Sequence, residues 1–405
     1  MQLLDVIVPV LDASVDPEAL AIRRLGDGLT RTQGLNPAVR LRALIDAGLD
    51  RLPLPGQGRT LHRWRLLARV GAEDLALAKL FEAHTDALAI LAELDPAGTA
   101  VGMPRPAAPT RPASAARAAA VAPVLTEVVM ALERPGDTQA TVHPIHLRPA
   151  YGVWGTEGQD GRVEATPDAD GRVLLQGRKT WCAGAADVQR GLLTVWMPDG
   201  SGPWLADVDL HQPGVTRDDS AWAAVGMAGA AAAELHFDRV PARLVGWAGA
   251  YTDRPGFWHG GAGLAACWHG ALGALAQTLR VAVHRGEEDA WHLLLAMGQV
   301  DGLLSANAAL LREAAAWIDH HPQNDARGWT LRVRTATDDT AQQVIRVVTR
   351  ALGPGPLCRH AGLARLLADL PVFLRQSHGD RDLATLGELA ASADTEEAGG
   401  PPWRL

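Results

Sequence analysis

The strongest constraint on the fold of this 405-residue chain is the order in which two hydrophobic periodicities follow each other. Apolar residues recur every three or four positions before residue 94 and again after residue 257, a spacing typical of amphipathic helices. Between residues 147 and 247 the pattern changes to short β-type runs separated by turn residues such as Gly, Pro and Asp. This order predicts an α+β fold in which helical regions flank a smaller β-region.

Individual elements follow from the same spacing. Residues 12–47 have near-helical spacing, and residues 60–93 predict two helices joined near Gly71. Four helices long enough to pack as an antiparallel bundle are predicted after the β-region, at residues 260–283, 288–318, 335–352 and 360–374. The β-type runs lie at residues 172–177, 191–197, 204–210 and 233–237, and the turn residues between them predict antiparallel pairing.

These patterns divide the chain into five predicted segments. Residues 103–123 are rich in Pro, Ala, Arg, Thr and Ser, so they bury too little apolar surface to offset the entropy of ordering. The predicted organisation is an N-terminal helical domain at 1–102, a flexible linker or insertion at 103–146, a middle antiparallel β-domain at 147–246, a C-terminal helical bundle at 247–390 and a tail at 391–405.

Composition disfavours several classes of function. A formal net charge of −8 and a pI near 6.0 argue against nucleic-acid binding, which needs clustered cationic charge. The three cysteines are far apart, and no Cys-x-x-Cys or His-x-x-x-His pair indicates a metal site. No run of about eighteen apolar residues predicts a membrane span, and the N-terminus lacks the cationic start of a signal peptide. We therefore expect a cytoplasmic protein that binds no metal.

Several strings, taken in order, resemble the acyl-CoA dehydrogenase family. GRKTWCAGA at residues 177–185 resembles the family's G-x-K-x-W-x-[ST] strand, and LHFDRVPARLVG at residues 235–246 resembles the strand that leaves its β-domain. RPGFWHGGAGLAACWHGALG at residues 254–273 is similar to the entry of its C-terminal bundle, and residues 44–58 are similar to a loop between its first helices. The ordered set spans nearly all of the chain outside residues 103–146.

The resemblance implies a helix–sheet–helix subunit that binds FAD and assembles as a homodimer or homotetramer. It also implies a flavoprotein oxidoreductase of fatty acid metabolism that introduces an α,β double bond into an acyl-CoA or acyl-carrier thioester. In the family a carboxylate removes the α-proton and a hydride passes to the flavin. An electron-transfer partner or oxygen would then accept the electrons.

The resemblance also suggests which residues surround the flavin. Trp181 matches the tryptophan that lies against the flavin ring, where a flat indole suits stacking. Trp154 and Thr156, in the string YGVWGTE, match the strand that meets the pyrimidine edge. Ala183 stands where the family has a Ser or Thr hydroxyl for flavin N5, and Gly353 matches a glycine near the adenosine half of FAD. The same residues also suit a core tryptophan, a strand-to-loop transition and a helix stop.

The usual catalytic base of the family is missing from both of its positions. In one branch the glutamate would fall at Ser377, with His378 beside it. In the other branch it would fall near Gly263, but no Asp or Glu lies between residues 254 and 285. His378 is the candidate substitute, because an imidazole titrates near neutral pH. A surface or structural role for His378 is the alternative.

Three hypotheses follow. The first is an acyl-CoA dehydrogenase-type flavoprotein with a relocated base. The second is a flavin-dependent monooxygenase of the same fold, in which a histidine of the C-terminal region, resembled by His378, acts beside the flavin. The third is a non-catalytic member that binds a ligand or partner. Glu82 and His84, on a predicted early helix, are further candidates for the lining of the cavity.

Overall fold

The computed structural model describes residues 16–95, 148–157, 162–168, 171–220, 222–230, 232–285 and 290–392. The predicted linker at 103–146 lies outside these residues. The N-terminal helices are α1 (Pro17–Arg31), α2 (Pro37–Asp46), α3 (Thr60–Glu73) and α4 (Leu75–Leu94). The strands are β1 (Tyr151–Trp154), β2 (Val163–Pro167), β3 (Val173–Ala183), β4 (Arg190–Val195), β5 (Trp204–Asp209), β6 (Val215–Asp218) and β7 (Ala232–Val245). The C-terminal helices are α5 (Ala250–Asp253), α6 (Pro255–Arg285), α7 (Trp291–His320), α8 (Arg327–Leu352), α9 (Pro354–Arg359), α10 (Ala361–Leu374) and α11 (Asp380–Ser392).

The predicted α+β order and the four long C-terminal helices are confirmed. The predicted break near Gly71 falls three residues later, at Asp74, because the Asp74 carboxylate accepts from the Leu77 amide and starts α4 as its N-cap. The helical period that continues beyond the fourth of these helices forms a separate helix, α11, which begins at Asp380.

The sheet is mixed, so the prediction of a purely antiparallel β-domain was wrong. Its strand order is β1-β4-β5-β7-β3-β2, with β6 paired to β7. β1 and β4 pair in parallel, with Tyr151 opposite Arg190, and the other strand pairs are antiparallel. A parallel pair needs a long crossover connection. The chain between β1 and β4 supplies this connection, since β2 and β3 lie there. The sequence did not predict the parallel pair, because alternation along a strand does not indicate the direction of the neighbouring strand.

Helix α6 forms the centre of the helical part. It packs against α3, α4, α7 and α8, and Trp268 at its middle is fully buried. Two glycines permit the close approach of α3 and α6: a Cβ on Gly71 would overlap the Cys267 carbonyl, and one on Gly270 would overlap the Ala68 carbonyl. The two backbones are therefore in direct contact.

Helix α7 is the one helix in the described ranges that is long and apolar enough, by length and composition, to cross a membrane. In the structure it packs against α6 and α8 as a member of the bundle. Trp291, Leu294 and Leu295 near its start are more than half exposed. The apolar character of α7 thus comes from a face in the bundle and a second face at the surface.

A buried ion pair ties α4 to the chain segment that leads into β1. The Asp50 carboxylate accepts from His84 at 3.1 Å and from both Nη atoms of Arg148 at 2.8 and 2.9 Å. The Tyr151 amide donates to Nδ1 of His84, so Nε2 carries the proton that His84 donates to Asp50. Burial favours a higher pKa for Asp50, but the bonds from His84 and Arg148 outweigh it and lower the pKa. His84 is therefore a structural residue, not part of a cavity lining.

A carboxylate from α7 caps the N-terminus of α3. Arg59 occupies the N-cap position and makes no capping bond with its side chain. Asp319 replaces that bond from the end of α7: it accepts from the Gly58 amide at 2.9 Å, the Thr60 amide at 2.9 Å and the Thr60 hydroxyl at 2.6 Å. A single side chain thereby joins the N-terminal helices to the C-terminal bundle.

We expect Asp319→Ala to lower the free energy of unfolding by about 2 kcal/mol, because it leaves two amides of a helix N-terminus without their charged acceptor. Asp325→Ala is the control, since Asp325 accepts only from the Arg327 amide of its own turn at an exposed position. Urea denaturation followed by circular dichroism measures both. Equal effects of the two substitutions would contradict the interdomain role of Asp319.

Candidate functional site

Trp181 is an exposed aromatic side chain on strained backbone. β3 loses register with β7 between Lys179 and Cys182, because three residue steps on β3 face two on β7. The extra residue forms a β-bulge in which Trp181 has φ 60, a left-handed conformation that costs a non-glycine residue about 1–2 kcal/mol. The indole is 64% exposed, whereas Cys182 beside it is fully buried. Such strain is concentrated at functional sites.

A buried lysine holds the strand behind Trp181. Lys179 is only 1% exposed, and its ammonium group lies 3.0 Å from the Glu157 carboxylate. It also donates to the Thr194 hydroxyl at 2.6 Å, and that hydroxyl contacts Glu157 as well. Burial lowers the pKa of Lys179, while Glu157 opposes the shift. The three residues join β3 and β4 to the segment that follows β1.

Trp154 and Ala183 are in direct contact, but Trp154 belongs to the core. Its indole N–H donates to the Ala183 carbonyl at 3.2 Å, and the side chain is 4% exposed. The ring lies over Gly152 and Gly191, where an added Cβ would overlap it. Thr156, two residues after Trp154, is exposed. A flavin at this position would meet Thr156 and the backbone here, not the Trp154 ring.

The structure therefore brings four of the predicted residues to one end of the sheet: Trp154, Thr156, Trp181 and Ala183. Gly353 lies elsewhere, at the junction of α8 and α9, with φ 64 and open space around the position of a Cβ. Its left-handed backbone ends α8 with a bond from its amide to the Thr349 carbonyl. That geometry is the helix stop that the sequence also allowed.

His378 lies on the loop between α10 and α11 and is 64% exposed. Its Nδ1 is 3.4 Å from the Asp382 carboxylate, which also accepts from the His378 amide and from the Ser377 hydroxyl. Arg334 of α8 donates to the Gln376 carbonyl at 2.7 Å and so fixes the loop from the other side. The Asp382 bond leaves Nε2 of the imidazole directed away from the carboxylate.

The residues near Trp181 fit a flavin on two structural observations. The first is the outward indole, a flat apolar surface of the kind on which a planar ring stacks. The second is Thr180, whose hydroxyl is buried and has no hydrogen-bond partner among the described residues. Ala183 offers no hydroxyl, so Thr180, three residues earlier on the same strand, is the nearby group that could replace it. Thr180 could not be predicted from the sequence, because the family pattern assigns the hydroxyl to another position.

Two carboxylates of α4, the buried Glu82 and the half-buried Asp86, lie near α6. Asp86 lies opposite Gly260, where a Cβ would come within 2.5 Å of Oδ1, and this Oδ1 has no partner in the described part of the chain. Glu82, one turn away, is 7% exposed, and burial raises its pKa although Lys79 at 3.5 Å opposes the shift. Glu82 was predicted from the sequence as a cavity-lining residue, whereas Asp86 was not, because only the packing of α4 on α6 brings Asp86 against Gly260.

Tyr251 connects this acidic seam to the sheet. Its ring occupies the space beside Gly155, where a Cβ would overlap it, and Gly155 directly follows β1. Burial raises the pKa of Tyr251, and the Asp86 charge raises it further. The Arg254 guanidinium lies 5.7 Å from the centre of the Tyr251 ring. Polar groups of α4, of the segment before α6 and of the end of β1 therefore meet at the junction of sheet and helices.

Comparisons with known proteins identify solved structures that share this fold. No family model matches the chain, and no curated protein matches it. Among solved structures, KijD3 in complex with FMN and a dTDP-3-amino-4-keto sugar is 17% identical, with a TM-score of 0.69 over 93% of this chain and 94% of that chain. FMN-bound TdsC from Paenibacillus sp. A11-2, a dibenzothiophene monooxygenase, is 17% identical, with a TM-score of 0.68 over 92% of this chain and 96% of that chain.

A third similar structure is the methanesulfinate monooxygenase MsuC from Pseudomonas fluorescens, which is 16% identical, with a TM-score of 0.68 over 94% of this chain and 98% of that chain. At these identities the likeness shows the fold alone. The chain has an acyl-CoA dehydrogenase-like fold, with helical N- and C-terminal parts on either side of a mixed sheet.

We expect Trp181→Gly to raise the free energy of unfolding by about 1 kcal/mol, because glycine removes the left-handed strain and little buried surface is lost. Arg239→Gly is the matched control: Arg239 is exposed, has φ 52 and lies at the other register shift of β7. Thermal and urea denaturation of both variants measure the change. Destabilisation by Trp181→Gly alone would mean that the indole contributes to the fold, and would remove the argument from functional strain.

Proposed function

We propose that this chain is a flavin-dependent oxidoreductase that binds the flavin ring against Trp181. The observation that carries the proposal is the outward, left-handed Trp181 at a β-bulge, in a protein with an acyl-CoA dehydrogenase-like fold. The left-handed backbone costs about 1–2 kcal/mol and turns a flat indole outward, which supports a functional use of this exposed tryptophan. KijD3 and TdsC, which share the fold, have structures with FMN.

Each residue near Trp181 has a separate part in this proposal. The indole provides the stacking surface, and the Lys179–Glu157–Thr194 cluster holds its strand in place. The hydroxyls of Thr156 and Thr180 donate to polar edges of the ring. A bound flavin supplies two-electron redox chemistry and, when reduced, reactivity towards oxygen.

For the reaction we propose oxygenation of a small substrate by reduced flavin and oxygen. The two positions that match the family's catalytic glutamate are Ser377 and Gly263, neither of which is a carboxylate. His378, paired with Asp382, is the group that would hold or transfer a proton at Nε2. TdsC and MsuC, two monooxygenases by name, share the fold over more than nine-tenths of this chain.

Dehydrogenation of an acyl-CoA or acyl-carrier thioester is the second candidate, and a specific observation favours it. Glu82 and Asp86 are carboxylates at the junction where the substrate of such an enzyme would lie, and burial raises the pKa of Glu82, which makes its carboxylate a stronger base than an ordinary glutamate. In that case α4 supplies the relocated base. An electron-transfer partner would accept the electrons in place of oxygen.

The identity of the flavin follows from the reaction. An enzyme that reacts as a dehydrogenase would carry FAD, with Gly353 near the adenosine half. A monooxygenase that takes up reduced flavin would accept FMN as well.

The exposed Trp291, Leu294 and Leu295 of α7 support assembly into a homodimer or homotetramer, because together they form an apolar surface.

The test is a titration of the purified protein with FAD and FMN, oxidised and reduced, followed by the flavin absorption bands and by tryptophan fluorescence. We expect one flavin to bind per chain, and we expect Trp181→Ala to weaken binding at least tenfold, since it removes the stacking surface. Leu35→Ala is the control, because Leu35 is 50% exposed in the turn between α1 and α2 and belongs neither to the proposed flavin site nor to the proposed assembly surface. The control should bind flavin as the native protein does.

The reaction is tested on the flavin-loaded protein. Monooxygenation predicts that oxygen uptake with reduced flavin rises on addition of a substrate, and that His378→Ala reduces the coupled product at least tenfold. Dehydrogenation predicts anaerobic bleaching by an acyl-CoA, sensitive to Glu82→Gln. A protein that binds neither FAD nor FMN, oxidised or reduced, contradicts the proposal. In that case a non-catalytic protein that binds a ligand or partner is the better description.

A further inference from the structure

A cavity of about 130 Å³ lies where α4 ends and α6 begins, away from Trp181 and His378. Its wall is made by four parts of the chain: the loop before α3, the last turn of α4, the first turn of α6 and the turn between α7 and α8. Prolines and alanines form the apolar part of the lining, and Glu93 and His259 are its polar groups, beside Gly56 and Gly256. Pockets between domains that combine apolar walls with a few polar groups are typical ligand sites.

The wall formed by the loop before α3 is fixed by hydrogen bonds. Asp319 accepts from the amides of Gly58 and Thr60, and the Thr60 hydroxyl accepts from the Gly56 amide at 2.8 Å. Arg63 donates to the Pro53 carbonyl at 3.2 Å. Bonds at both ends of the loop keep the cavity in one shape, so a ligand would lose little free energy in organising it.

Two glycines make room for the polar side chains of the cavity. A Cβ on Gly256 would overlap the Glu93 carboxylate and the Arg254 guanidinium. Gly56 has φ 72, and its Cβ would lie 3.0 Å from Cε1 of His259. The absence of a side chain at Gly56 and Gly256 therefore leaves room for His259, Glu93 and Arg254 beside the cavity.

The polar groups are an imidazole and a carboxylate. His259 is 2% exposed, and its Nε2 has no partner within the described ranges. Burial and the nearby Arg254 lower the pKa of His259 to about 4, so the ring is neutral near pH 7. Glu93 at the rim accepts from Arg254 at 3.0 Å through Oε2, which leaves Oε1 as an acceptor for another group. An unpartnered polar atom at this depth is unusual in a core that has no use for it.

We propose that this cavity binds a small, neutral ring that carries one hydrogen-bond donor, with the ring between the prolines and alanines and the donor on Glu93. The volume is close to that of engineered protein cavities of about 150 Å³ that hold benzene. The apolar walls exclude a fully charged ligand, and Arg254 already balances the Glu93 charge, so the cavity does not select a cation. This inference does not depend on the flavin site.

The test uses fluorine NMR of the full-length protein without flavin, with para-fluorophenol as the probe. Its matched probe is para-fluoroanisole, which has the same ring and no donor. We expect fluorophenol to bind with a dissociation constant of roughly a millimolar or below, and fluoroanisole to bind at least tenfold more weakly. Equal binding of the two probes would overturn the assignment of the donor to Glu93, and no detectable binding of either would overturn the site.

Two variants locate the bound probe. Ala92 is an exposed lining residue, so Ala92→Phe places a ring at the mouth of the cavity and should abolish binding of the probe. Ala316→Phe, on the exposed face of α7, is the control and should leave binding of the probe unchanged. Glu93→Gln keeps the shape but weakens the acceptor, and should reduce the affinity for fluorophenol severalfold without changing that for fluoroanisole. Binding that survives Ala92→Phe lies elsewhere on the protein and contradicts the proposal.

Discussion

The close contact of α6 with α3 and α4 is the constraint on which the rest of the structure depends. Gly71 and Gly270 bring the α3 and α6 backbones together, while Gly256 and Gly260 leave space for Glu93 and Asp86 of α4. The same helix α4 supports the sheet: a Cβ on Gly184, just after β3, would overlap Leu80. The end of β3, and therefore Trp181, is placed by the helix that α6 holds in position.

Two kinds of residue can be distinguished in this protein: buried polar groups that bond to one another, and residues with a strained backbone or an unpartnered polar atom. Asp50, His84 and Arg148 satisfy one another fully, which makes them part of the fold. Trp181 in a left-handed bulge and His259 with an unpartnered Nε2 cost free energy that the fold does not recover. The proposed flavin site is built around the strained Trp181, and the proposed ring site lies beside the buried His259, with Glu93 as the group that accepts from the ligand.

The sequence predicted the order of helices and strands well, because long amphipathic periods report directly on secondary structure. It missed the parallel pairing of β1 with β4, since the direction of a neighbouring strand depends on the route of the chain between them. The burial of Trp154 could not be predicted, because it depends on Gly152 and Gly191 of two different strands. The contact of Asp86 with Gly260 was missed, because only the packing of α4 on α6 brings the two residues together.

The most direct measurement of the central claim is a crystal structure of the protein grown with the flavin that it binds most tightly. The account predicts that the ring stacks on the Trp181 indole at the end of β3, with a polar edge in hydrogen-bond range of Thr156 or Thr180. It also predicts that Trp181 keeps its left-handed backbone, as the structure has it. A flavin bound at another part of the fold, or a Trp181 turned into the core with ordinary backbone angles, would contradict the account.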